Sequence, residues 1–214
     1  MSDSNFQPQY SRKEETANII THGIGILASI VGLIFLVILA QAKGDQWHLV
    51  SFAIFGISLL LMYTSSSLYH SVSGDKAKRY LRKLDHSVIY ILIAGTYTPY
   101  LLTNLRGTTG WIMFVVVWTF AAVGIIIKLA TQIKSKWVSA VIYLGMGWLA
   151  IFIAPSMVDN LSTLSIIFLL AGGLFYSIGV IFYVRKRLPY HHAVWHLFVL
   201  GGSICHYFSV YHIL

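Results

Sequence analysis

Residues 17–41 read ANIITHGIGILASIVGLIFLVILAQ, an apolar run without a single charged side chain. A helix needs about 20 such residues to cross the hydrocarbon core of a bilayer. Arg12 and Lys13 precede the run and Ala40-Gln41-Ala42 imitates a signal-peptidase site. The run is nevertheless too long for the roughly 7–15-residue apolar core of a cleaved signal. It is read as a retained helix, and six more runs resemble it. They lie at Trp47 to Val72, Leu84 to Leu102, Trp111 to Lys128, Trp137 to Met157, Leu161 to Val184 and His192 to Ile213. Trp47, Trp111 and Trp137 open their runs, as indole rings do at a membrane interface. Ser73-Gly74-Asp75, Arg106-Gly107 and Leu188-Pro189 carry turn or breaker residues between runs.

Composition leads to the same place. Of 214 residues, 57% are hydrophobic and 10% charged, where a soluble domain carries about 45–50% and about 25%. Seven spans consume roughly 140 residues, which leaves room for a tail and short connections only. A separate soluble catalytic domain is excluded, and any chemistry belongs inside or at the rim of the membrane. The expected fold is all-α, a seven-transmembrane helical bundle. Residues 1–16 form a polar cytoplasmic tail and 17–214 a single domain. The lone Cys205 excludes an intramolecular disulfide.

The net charge of +8 would suggest nucleic acid in a soluble protein. Here the basic residues fall between apolar runs and report topology, so no nucleic-acid partner is expected. Arg12 and Lys13, then Lys76, Lys78, Arg79, Arg82 and Lys83, then Lys128, Lys134 and Lys136, then Arg185, Lys186 and Arg187 all fall on one side. Only Lys43 and Arg106 fall on the other. The positive-inside rule puts the N-terminus in the cytoplasm and the C-terminus outside. The basic stretch Lys76 to Lys83 is read as a connection, which would also attract anionic lipid.

Ionisable groups within membrane segments are expensive and mark function by default. His192 and His196 are four residues apart, one above the other on a helix face. Two imidazoles at this spacing can share a metal ion, or simply hydrogen-bond near a helix end. The second run delivers Ser66 and His70 to the same cytoplasmic layer, the third begins there with Asp85, and the first with Glu15, Asn18 and His22. A third imidazole in that layer would leave one of zinc's four positions to water, whose pKa falls towards about 7. Asp85 can orient that water or accept its proton; it can also be an acid favoured by a helix N-terminus. Ser66 is a hydrogen-bond donor or a packing residue, and His22 a contact to Asn18 or a neighbouring helix. His48 and His212 read as interfacial. His86 and His191 point off the candidate faces, and His206, ten residues past His196, lies outside the layer. The pairs Gly172-Gly173 and Gly201-Gly202 suit close helix packing.

The pattern Glu15-x-x-Asn18-x-x-x-His22, Ser66-x-x-x-His70, Asp85 and His192-x-x-x-His196 resembles the bacterial hemolysin III family. That family sits within the progestin and adiponectin Q receptor superfamily, with alkaline ceramidases as more distant relatives. The resemblance runs from Glu14 to the end. It implies seven helices, a cytoplasmic N-terminus and Zn2+ held by His70, His192 and His196, with Asp85 and Ser66 beside the zinc-bound water. The long N-terminal region of the animal receptor members has no counterpart here, so hormone binding is not carried over. Nor does any segment resemble a lytic toxin.

Three functions follow as expectations. The first is a zinc-dependent intramembrane hydrolase acting on a lipid amide bond in the cell membrane, with catalytic Asp85 and Ser66 and supporting Glu15, Asn18 and His22. Membrane lipid is then the partner and the metal site faces the cytoplasm. The second is a non-enzymatic sensor or regulator of membrane lipid with a structural zinc. The third is a pore-forming hemolysin.

Overall fold

The computed structural model describes residues 10–130, 135–185 and 188–214. The basic residues Lys134, Lys186 and Arg187, and positions 1–9 of the expected tail, lie outside them. Among the described residues the architecture is all-α. Helix α1 covers Arg12–Lys43, α2 Gln46–Ser71, α3 Asp75–Leu102 and α4 Thr108–Ala130. Helix α5, Lys136–Gly147, passes through a 3₁₀ segment, Trp148–Ile153, into α6, Ala154–Asn160. Helices α7, Thr163–Val184, and α8, His191–Tyr211, complete the chain. With α5 and α6 counted as one pass, this is a seven-helix bundle. Six passes are long and apolar enough to cross a membrane.

Local chemistry sets the helix starts. Ser11 caps α1 in a reciprocal box with Glu14, and Asp45 caps α2 by accepting from the Trp47 and His48 N–H groups. Each cap satisfies N–H groups that a first helical turn leaves without partners. On α1, Ile20, Ile24, Leu27, Val31, Ile34, Phe35 and Ile38 are exposed. An apolar exterior this continuous belongs against lipid, not water.

Three elements differ from the sequence expectation. Helix α1 starts at Arg12, inside the expected tail and five residues before Ala17, because the Ser11–Glu14 capping box starts the helix ahead of the apolar run. The stretch Lys76 to Lys83 is not a connection: it forms the opening turns of α3, which starts at Asp75 instead of Leu84. Lys, Arg, Ala and Leu are all good helix formers, so the helix continues past the apolar part, where hydropathy stops reporting it. Asp85, His86 and the Thr, Tyr and Pro residues between them and Leu102 keep α3 out of the six apolar passes. The fifth pass is broken where one helix was expected over Trp137 to Met157. Pro155 has no N–H and clashes with the preceding turn, while Gly145 and Gly147 weaken the helix just before it. Tyr97 of α3 repairs the break: its hydroxyl donates to the Gly147 carbonyl at 2.6 Å and accepts from the Ala150 N–H at 2.8 Å. Without water, freed backbone groups need such partners.

Helix α1 packs against α2 and α8, and α7 against α5 and α8. Helix α3 runs through the middle, touching α2, α4, α5 and α8. Gly172, Gly201 and Gly202 sit at the α7–α8 seam, while Gly173 faces Trp148 of the fifth pass. A Cβ on Gly172 would come within 2.7 Å of the His206 ring and one on Gly202 within 3.0 Å of the Tyr176 ring. This ring of helices brings the end of α2 and the starts of α1 and α8 together.

Candidate metal centre

Helix α2 brings His70 to its last turn and α8 opens with His191, His192 and His196. Tyr190, just before α8, adopts a left-handed conformation with φ of 54°, uncommon for a bulky side chain. It turns the chain sharply after Pro189, and its N–H donates to Glu14 at 3.2 Å. His70, His192 and His196 are all buried, and one ring nitrogen of each lies within 4.8 Å of the other two. Zinc–nitrogen bonds measure about 2.0–2.1 Å, so a small side-chain adjustment closes the set on one ion.

The atoms around these rings suit a metal. His70 Nε2 and His192 Nδ1 are buried without a hydrogen-bond partner among the described residues, each an uncompensated cost of about 1–3 kcal/mol that an ion would remove. The other sides of the rings are held. Glu15 Oε2 lies 2.6 Å from His70 Nδ1 and accepts its N–H, which leaves Nε2 as the lone-pair donor. The Asn18 amide lies 3.3 Å from that same Nδ1. The other carboxylate oxygen of Glu15 takes Lys78 of α3, so one side chain joins α1, α2 and α3. Thr21 donates its hydroxyl proton to backbone carbonyls of its own helix and accepts from His196 Nδ1 at 3.1 Å. A carboxylate or hydroxyl behind a ligating imidazole fixes the ring and its tautomer.

His22 is not in the three-histidine set. It stacks on the His196 ring at 3.5 Å and 13°, meets Tyr63 edge-on, and has no hydrogen-bond partner for either nitrogen among the described residues. Tyr10 covers the set from the side of the α1 start, stacked on His192 at 4.9 Å and 16°. Sequence reasoning passed over Tyr10, because an aromatic in a polar segment carries no periodic signal.

A cavity of about 180 Å³ leads away from the histidines between α3, α5, α7 and α8. His22, His192 and His196 line one end, with Asp85 and Ser66 on the same wall and close together. Asp85 is 9% exposed. His86 and His206, both set aside by the sequence reading, line the cavity as well. His86 Nδ1 donates to the Arg82 carbonyl at 2.8 Å and lies 3.5 Å from Asp85. The rest of the wall is mainly apolar. Trp148 and Leu170 belong to it and are also exposed on the outside of the bundle, so the cavity reaches the lipid-facing surface between the broken fifth pass and α7.

Known proteins share this framework. Residues 10–207 match the family described as Haemolysin-III related. The chain is 49% identical over 201 residues to a Hemolysin-3 homolog of Bacillus subtilis (strain 168), covering 94% of each. It is 46% identical to Hemolysin-3 of Bacillus cereus, covering 92% of this chain and 90% of that one. At 32% identity it matches the human Monocyte to macrophage differentiation factor, over 92% of this chain and 83% of the other. With every described helix except the last turn of α8 inside the match, the chain belongs to the haemolysin-III related family of multi-pass membrane proteins.

Proposed function

We propose that this protein is a zinc-dependent hydrolase that cleaves an amide bond of a membrane lipid within the bilayer. The observation that carries this reading is the opening of the three-histidine set onto an apolar cavity that has a carboxylate and a hydroxyl on its wall. Structural zinc sites are usually closed by four protein ligands, whereas three imidazoles leave a position free. When bound, the ion supplies a Lewis acid for the scissile carbonyl and lowers the pKa of water.

The chain's own residues do the rest. The cavity takes the acyl chain through its lipid-facing side and keeps bulk water away from the scissile bond. Asp85 accepts a proton from the attacking water as the carbon–oxygen bond forms, and returns it to the amine nitrogen as the carbon–nitrogen bond breaks. Ser66 orients the Asp85 carboxylate, and Glu15 and Thr21 hold the imidazoles in place. The metal end faces the cytoplasm in this proposal, supported by the concentration of Lys and Arg at that end.

Purified protein is expected to contain one zinc ion and to release fatty acid from an amide-linked lipid panel. Asp85→Asn is expected to retain the ion and lose at least about a hundredfold in turnover. Bound zinc with no turnover of any lipid would replace this reading by that of a lipid-state regulator with a structural ion. Leakage of vesicles reconstituted with the protein would favour a pore instead, the reading in keeping with the name Hemolysin-3 of the Bacillus cereus relative.

A further inference from the structure

His206 lies on α8 ten residues beyond His196, about 15 Å further along the helix axis, and lines the same cavity. It is 7% exposed, and its Nδ1 has no hydrogen-bond partner among the described residues. The ring is clamped in place. It stacks on Tyr176 of α7 at 5.4 Å and 21°, and it lies over Gly172, one turn earlier on that helix. A side chain at position 172 would occupy the space of the ring, since even a Cβ would sit 2.7 Å from Nε2. The Tyr176 hydroxyl is engaged with Ser203 at 2.8 Å.

An apolar residue would pack this seam as well. An imidazole nitrogen left unbonded this deep is expensive, because hydrocarbon supplies no replacement partner. The hydroxyl protons in the same stretch of the cavity are already committed. The hydroxyls of Thr96, Tyr97, Tyr100 and Ser177 donate to Leu92, Gly147, Ser209 and Gly173. Among the described residues of this stretch, His206 carries a buried ring nitrogen that has no hydrogen-bond partner.

We infer that His206 is a second polar subsite of the cavity, which hydrogen-bonds a hydroxyl or carbonyl carried partway along the hydrocarbon chain of a lipid whose polar end lies at the histidine cluster. The inference rests on the lipid cavity of the proposed function, though not on hydrolysis. The rise of about 15 Å between His196 and His206 corresponds to an extended chain of about a dozen carbons.

Ricinoleic acid carries a hydroxyl at that distance from its carboxylate, and oleic acid is the same molecule without it. Both are titrated against the full-length metal-loaded protein in nanodiscs by displacement of a fluorescent fatty acid. Wild type is expected to bind ricinoleic acid about tenfold more tightly, the value of one well-made hydrogen bond. His206→Phe is expected to erase the preference, so that the two acids bind equally, with metal content unchanged. His206→Gln, which can still donate and accept, is expected to keep part of it. Equal binding of the two acids by wild type, or an undiminished preference in His206→Phe, would overturn the subsite and leave the lipid cavity standing. Failure of both acids to bind would overturn the two together. Where Phe is not accommodated, His206→Leu gives the same reading, with retained metal as the mark of an intact bundle.

Discussion

Glu15 illustrates how much one side chain carries at this site. One of its oxygens accepts from His70 Nδ1 and the other takes Lys78, so it sets the tautomer of a candidate ligand while joining three helices. Glu15→Gln removes the charge from both contacts and is expected to weaken zinc binding by about ten- to a hundredfold, read by competition with a chromophoric chelator. Asp45, outside the membrane between α1 and α2, shows a carboxylate doing purely structural work. The His48 and Trp47 N–H groups and the His48 ring hold its carboxyl down at about 2, from an ordinary 3.8. A depressed folded-state pKa gives stability that is complete above the unfolded value and disappears as pH falls through the folded one. Asp45→Ala is expected to cost about 1 kcal/mol of stability near neutrality. The difference from wild type should close as pH drops from about 4 to about 2 in thermal melts of detergent-solubilised protein.

At the scale of elements, α3 and the broken fifth pass do the positioning. Helix α3 is the least apolar pass, yet it touches four other helices and presents Asp85 and His86 to the cavity. Asp85, Ser87 and Thr98 are tolerated because they are buried in the bundle interior. Its Tyr97 hydroxyl meets the backbone freed at the break between α5 and α6. Tyr97→Phe leaves those groups without partners and is expected to destabilise the protein by about 1–3 kcal/mol. The loss should appear as a lower melting temperature with zinc content unchanged. A melt identical to wild type would mean that lipid or water satisfies the break instead. Apolar periodicity marked five of the passes to within three residues at each end. It misplaced the start of α3, because helix propensity continues where hydropathy ends, and it missed the break, because a single proline in an apolar run is compatible with a kinked but continuous helix.

At the scale of the whole molecule, the histidine cluster closes the ring of helices. His70 belongs to the second pass and His192 and His196 to the last, so an ion shared among them ties elements distant in the chain. An ion that binds only the folded bundle stabilises it by about 2.7 kcal/mol at a hundredfold excess over its dissociation constant. Chelation is therefore expected to lower the melting temperature of wild type and to leave His70→Ala unmoved; equal melts of wild type with and without chelator would remove the ion from the architecture. The sequence by itself determined that the chain is a helical membrane bundle, because a lipid solvent leaves apolar runs of this length no other structure. It also marked the histidines, Asp85, Ser66 and the Glu15 to His22 face, because polar groups are too costly in a membrane to lie there unnoticed. The rings that converge, His70, His192 and His196, are those the resemblance implied. Only the tertiary structure decided that His22 stacks beside them, that Tyr10 covers them, and that His86 and His206 share a cavity with them. Those relations depend on the rotation and tilt of each helix about its neighbours. Side-chain packing across the bundle sets these angles, and no pattern along one helix records them.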